Sequence, residues 1–133
     1  MKHCASLLVV LSVAVLVASC ASTRTLEPGQ VDYSAVGGTL TAVEAAPFDK
    51  VVRSTLDAMQ KLKLQPMERD RDGFRVFIVG ETVFGSLSQT HEVRVWVTRV
   101  TDATTQIEMR ILGRRDEGRL TALHSEIKKR LGS

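Results

Sequence analysis

The chain has 133 residues, 44% of them hydrophobic, and a formal net charge of +3, which leaves room for one domain and implies no strong polyanion partner. Both cysteines, Cys4 and Cys20, lie in the first 20 residues. A domain built from the remainder therefore has no thiol nucleophile, no disulfide and no cysteine-ligated zinc.

The chain opens with Met1-Lys2-His3, a short positive start, and continues from Leu7 to Ala18 with an unbroken run of Leu, Val, Ala and Ser. A permanent transmembrane helix needs about 20 residues, so this shorter run reads as the core of a signal peptide over residues 1–19. Val17-Ala18-Ser19 then leads into Cys20. A branched aliphatic residue, two small residues and a cysteine in that setting resemble the lipobox of bacterial lipoproteins. The small residues let a peptidase hold an extended chain in a narrow groove, and only a cysteine thiol accepts the diacylglyceryl group. The resemblance implies cleavage before Cys20, lipidation of its sulfur and attachment to a membrane. Each buried methylene contributes about 0.8 kcal/mol, and two acyl chains hold firmly where one does not. Ala21, rather than Asp, follows the cysteine, and by analogy with Gram-negative sorting this implies the outer membrane, facing the periplasm. The alternatives are a plain secretory peptide cleaved after Ala18 or Ser19, or an uncleaved helix.

Residues 20–36 carry Pro28 and Gly29 and no sustained periodicity, so they read as the lipidated cysteine and a flexible tether, with a reach of roughly 20 to 25 Å. The domain is expected over residues 37–133. It begins with a strand from Thr39 to Ala45, and Pro47 suits the first turn of a helix running to about Leu62. Phe48, Val51, Val52, Thr55, Met59 and Leu62 share one face of that helix. Gln65 to Asp70 and Phe74 to Gly80 flank Arg71-Asp72-Gly73, and an Asp-Gly between extended runs signals a hairpin. Gln89 to Val100 alternates, with Val93, Val95 and Val97 on one side and Glu92, Arg94, Trp96 and Thr98 on the other. After a turn at Thr101-Asp102-Ala103 the period of two resumes through Thr105, Ile107, Met109 and Ile111. The last helix, Asp116 to Leu131, carries Leu120, Leu123, Ile127 and Leu131 at helical spacing, with acids at its start and bases at its end. The order β-α-β-β-β-β-α predicts a two-layer α+β domain: an antiparallel sheet of about five strands with two helices packed on one face.

On the lipobox at Cys20, the Gly38-to-Ala45 strand running into Pro47-Phe48, the Asp72-Gly73 hairpin and the final leucine-rich helix, the chain resembles a family of small bacterial envelope lipoproteins with a domain of unknown function. A similarity of pattern extends to the helix-and-sheet domains of outer-membrane assembly lipoproteins. Neither resemblance supplies an activity.

No catalytic constellation emerges from the residues. Gly85-Ser86-Leu87-Ser88 lacks the nucleophile-elbow pattern. His91 and His124 have no metal-ligand spacing and read as structural positions at the edge of a strand and of the last helix's apolar stripe. The closest carboxylates, Glu68, Asp70 and Asp72, alternate with arginines on a hairpin and read as a solvated turn. No cofactor, metal or enzymatic activity is expected, and export removes nucleic acid from the eligible partners. Trp96 and Arg94, joined by Phe77 and Val79, are expected on a sheet face that no helix covers, which is the composition of an interface hot spot. The alternative is a cross-strand cluster in which Trp96 lies under Arg94 and Glu92. Val83 and Phe84 in the connecting segment 81–88 either dip into a membrane or partner, or cap the core. Arg110, Arg114, Arg115 and Arg119 form a candidate basic edge for anionic lipid or cell-wall glycan, or else a solvated surface balanced by Asp116 and Glu117. The expectation is a lipid-anchored, non-enzymatic envelope protein that binds another envelope protein through the open sheet face.

Overall fold

The chain folds as β1 (Val31–Ser34), β2 (Thr39–Glu44), α1 (Phe48–Lys61), β3 (Pro66–Arg71), β4 (Arg75–Glu81), β5 (Glu92–Thr101), β6 (Thr104–Ile111) and α2 (Glu117–Leu131) in a computed structural model that describes residues 25–81 and 91–132. Every strand pairing is antiparallel, in one open sheet of order β1-β2-β6-β5-β4-β3. The α+β architecture agrees with the sequence reading, but the sheet has six strands where about five were expected. The additional strand is β1, which lies within the stretch read as tether and pairs with β2 from Val31↔Ala42 to Ser34↔Thr39. Its four residues are too few to display a period, and of them only Tyr33 packs against the core. Gly29 and Gln30 extend the contact: the Gly29 N–H donates to the Val43 carbonyl at 2.7 Å, and the Val43 N–H to the Gln30 carbonyl at 3.2 Å.

The alternation of apolar and polar residues decides which sheet face is buried. Val93, Val95 and Val97 of β5 lie level with Val76 and Ile78 of β4, with Ile107, Met109 and Ile111 of β6, and, one strand further, with Leu40 and Ala42 of β2. All of them belong to one hydrophobic cluster, which α1 closes with Phe48, Val51, Val52 and Met59, and α2 with Leu120, Leu123 and Ile127. Burying each such side chain contributes about 1.5 to 3 kcal/mol, and slipping a strand by one residue would turn its whole apolar set outward.

Pro47 occupies the N-cap of α1 with no side-chain cap bond, and the helix starts at Phe48. At the other end Leu62, expected on the buried stripe, is 40% exposed. The helix has already stopped: Lys63 takes a left-handed φ of 60°, its N–H donates to the Gln60 carbonyl at 3.0 Å, and the Leu64 N–H donates to the Met59 carbonyl at 2.9 Å. This is the Schellman closure, with lysine where glycine is usual. The turn presses on bare backbone, because a Cβ on Gly80 of β4 would come within 2.4 Å of Met59 Cε and 2.8 Å of the Leu64 carbonyl oxygen.

The β3–β4 hairpin forms where the Asp-Gly sequence placed it, by a different device. Gly73 does not take a positive φ. Instead the Asp72 Oδ1 accepts the N–H groups of Phe74 and Arg75 at 2.7 and 2.8 Å, so the aspartate side chain itself closes the turn. β3 is an outer strand, almost entirely exposed, with a bulge between Glu68 and Asp70. Asp116 caps α2 by accepting the Arg119 N–H at 3.1 Å.

Candidate functional site

The face opposite the helices is built from the polar phase of each strand. Register places Asp70, Phe77, Trp96, Glu108, Thr41 and Asp32 in one row across the sheet. The neighbouring row runs Met67, Val79, Arg94, Arg110, Thr39 and Ser34. Among the described residues no helix packs on this side. Trp96 and Phe77, directly opposite on β5 and β4, stack with ring centroids 5.1 Å apart and planes 17° from parallel. Offset stacking of this kind adds about 0.5 to 1.5 kcal/mol beyond area burial. Both rings remain half-buried.

Of the residues expected on this face, the structure brings Trp96, Arg94, Phe77 and Val79 together. Trp96 lies against Phe77, while Arg94 turns to Glu92, Nε to Oε1 at 2.6 Å. In place of the alternative, in which Trp96 lies under Arg94 and Glu92, the tryptophan stacks across strands on Phe77 while Arg94 and Glu92 pair along β5. Directly across from Arg94 stands Arg110, a like-charged pair that opposes sheet formation. Arg94 is offset by Glu92, whereas the Arg110 Nε is buried without an acceptor among the described residues. Sequence reading assigned Arg110 to the basic edge; its strand phase puts it on the open face instead. The candidate residue Phe84 lies outside the described residues.

The basic edge is less cationic than its sequence. Arg114 Nη2 and Arg119 Nε approach the same Asp116 Oδ2 at 3.3 and 3.4 Å. Arg115 lies against Gly38, whose φ of +64° disfavours any side chain and where an added Cβ would crowd Arg115 Cγ at 3.0 Å.

His124 is not at an edge. It is 5% exposed, and its Nε2 lies 2.5 Å from Oε1 of Glu44, itself 8% exposed, tying α2 to β2. The pair was legible in part, since Glu44 continues the inward phase of Leu40 and Ala42, and His124 falls one turn after Leu120. Contact across 80 positions has no sequence signature. Beside it the Thr105 hydroxyl donates to the Ala46 carbonyl at 2.8 Å. His91, with Leu62, Leu64, Val93, Ile111 and Leu120, lines an apolar cavity of about 280 Å³ at the end of the core. Among the described residues no three His, Cys, Asp or Glu side chains gather as a metal site, and no helix is long and apolar enough to cross a membrane.

Comparison with solved structures gives a partial likeness to the vertebrate conserved region of human METTL16, at 14% identity and a TM-score of 0.47, over 62% of this chain and 69% of that one. No curated protein matches. A family model described as "Protein of unknown function (DUF3568)" matches residues 2–130. With nearly its whole length matched by that model, the chain belongs to the DUF3568 family.

Proposed function

We propose that the chain is a lipid-anchored bacterial envelope protein without enzymatic activity, whose domain binds another envelope protein through the open sheet face. The anchoring half rests on Val17-Ala18-Ser19-Cys20 behind an apolar run, with lipid on Cys20 and the outer membrane, facing the periplasm, as its place. The binding half rests on one observation above others: the Phe77–Trp96 stack stands half-buried on a face that no described helix covers. Aromatic and arginine side chains that are partly desolvated before binding are the composition of an interface core. Arg110 supports the same reading, because a guanidinium whose Nε finds no acceptor among the described residues, directly across from Arg94, favours an acidic group from outside.

Photo-crosslinking in intact envelopes, from an unnatural amino acid at Thr98, tests the binding half. Trp96→Ala is expected to abolish the principal crosslinked species. Arg94→Ala is expected to weaken it less, because Glu92 already holds that guanidinium. An unchanged crosslinking pattern in both variants overturns the reading. Binding of anionic lipid or cell-wall glycan along Arg114, Arg115 and Arg119 is less well supported, since Asp116 takes up two of the three charges.

A further inference from the structure

We infer that the end of the sheet carrying Phe74 and Val100 is a membrane-contacting tip, set against the lipid surface that holds Cys20; this rests on the anchoring half of the reading above. Two large apolar side chains are left in solvent there, Phe74 at 70% and Val100 at 54% exposed. They are neighbours in the sheet, for the Arg99 N–H donates to the Phe74 carbonyl at 2.7 Å and Val100 follows Arg99. The described chain begins at the same place. Thr25 and Leu26 line one cavity with Val100 and Thr101, on the side where β2 ends and the β5–β6 hairpin turns.

Chain length then limits where this end sits. Five residue steps separate Thr25 from Cys20, and at about 3.3 to 3.6 Å per residue they span at most roughly 18 Å. The acylated sulfur lies at the boundary between headgroups and hydrocarbon, and the headgroup layer takes up roughly 5 to 8 Å of that distance. Thr25 therefore stands no more than roughly 10 to 13 Å above the headgroups, a distance that lets the Phe74 and Val100 end reach them. Ten residues of β5, at about 3.3 Å each, carry the opposite end roughly 30 Å away. Val36, in the β1–β2 turn and 84% exposed, marks that far end. A phenylalanine and a valine near a lipid surface lose water contact on entering the interface, and that burial fixes the domain upright where a tether alone would let it swing.

The test uses the acylated full chain in vesicles of phosphatidylethanolamine and phosphatidylglycerol containing a lipid brominated near the headgroup end of its acyl chains. Trp96→Phe removes the single native tryptophan while keeping an aromatic ring against Phe77, and in that background tryptophan is introduced by Phe74→Trp, Val100→Trp or Val36→Trp. The expected result is a blue shift and bromine quenching at positions 74 and 100, and neither at 36. Equal quenching at 36 and 74, or none at 74 and 100, overturns the inference. Fatty-acid labelling of the same chains separates the two claims. Label that depends on Cys20 with an unquenched tip overturns only the orientation, whereas absence of label overturns the anchoring and this inference with it.

Discussion

Gly80→Ala examines how α1 is seated on the sheet. The two nearest of the three atoms that the added methyl group meets differ in character. Met59 Cε, at 2.4 Å, is the end of a flexible side chain and can swing aside; the Leu64 carbonyl oxygen, at 2.8 Å, is backbone fixed by the Schellman closure. Restoring ordinary contact to that oxygen requires the end of α1 to lift by about half an ångström, and overpacking of this kind costs about 1 to 3 kcal/mol. Replacing a strand glycine by alanine returns roughly 0.5 to 1 kcal/mol through the unfolded chain, leaving a net loss between about 0 and 2.5 kcal/mol, with about 1 kcal/mol at mid-range. For a domain of this size that mid-range loss lowers Tm by roughly 4 to 8 °C, read by circular dichroism on the Cys20→Ser chain. Gly73→Ala, where a Cβ meets nothing within 4 Å, is the control and is expected to stay within about 0.5 kcal/mol. A Tm for Gly80→Ala equal to that of the control refutes the seating of α1 on bare backbone.

Lys63→Gly removes the left-handed strain at the end of α1 and is expected to stabilise by about 0.5 to 1 kcal/mol, while Lys63→Ala, which keeps the strain, shifts Tm little. Glu44→Ala and His124→Ala each leave the other member of a buried pair without its partner and are expected to cost about 1 to 3 kcal/mol; chemical denaturation of the double variant should show a loss smaller than the sum of the two. Asp72, exposed at the hairpin, has its carboxyl held below the ordinary 3.8 first by the Phe74 N–H and then by that of Arg75. A lowered folded-state value means the contribution is present above the ordinary value and is lost as pH falls through the folded one. The Tm deficit of Asp72→Ala seen at neutral pH should therefore shrink in thermal melts as pH falls below the ordinary 3.8; a deficit constant with pH contradicts the turn assignment.

Long alternating or helically spaced runs were readable because their period is longer than any local accident. Val93, Val95 and Val97, with Ile107, Met109 and Ile111, announced β5, β6 and their buried face, and Leu120, Leu123 and Ile127 announced α2. β1 escaped because four mostly exposed residues carry no period, and their strand character comes from pairing with β2. Leu62 was misplaced because helical spacing does not reveal that Lys63 takes a left-handed turn. On the open face, strand phase alone put Trp96, Arg94 and Phe77 together. It could not say that Trp96 chooses Phe77 while Arg94 chooses Glu92, since both contacts lie within reach of the same backbone positions. Arg110 was mis-sorted by nearness in sequence to Arg114, although its phase relative to Met109 and Ile111 already pointed to the other side. The Glu44–His124 contact depends on how α2 crosses β2, which no local pattern encodes.

The outer border formed by β3 shapes how copies of this domain meet. Its exposed strand presents Glu68, Arg69, Asp70 and Arg71 along a bulged backbone, and a kinked, charged margin is a poor template for a neighbouring strand. Two copies of the domain brought together at this margin are thereby disfavoured from joining strand to strand. Encounters between them are left to side chains rather than to the backbone ladder.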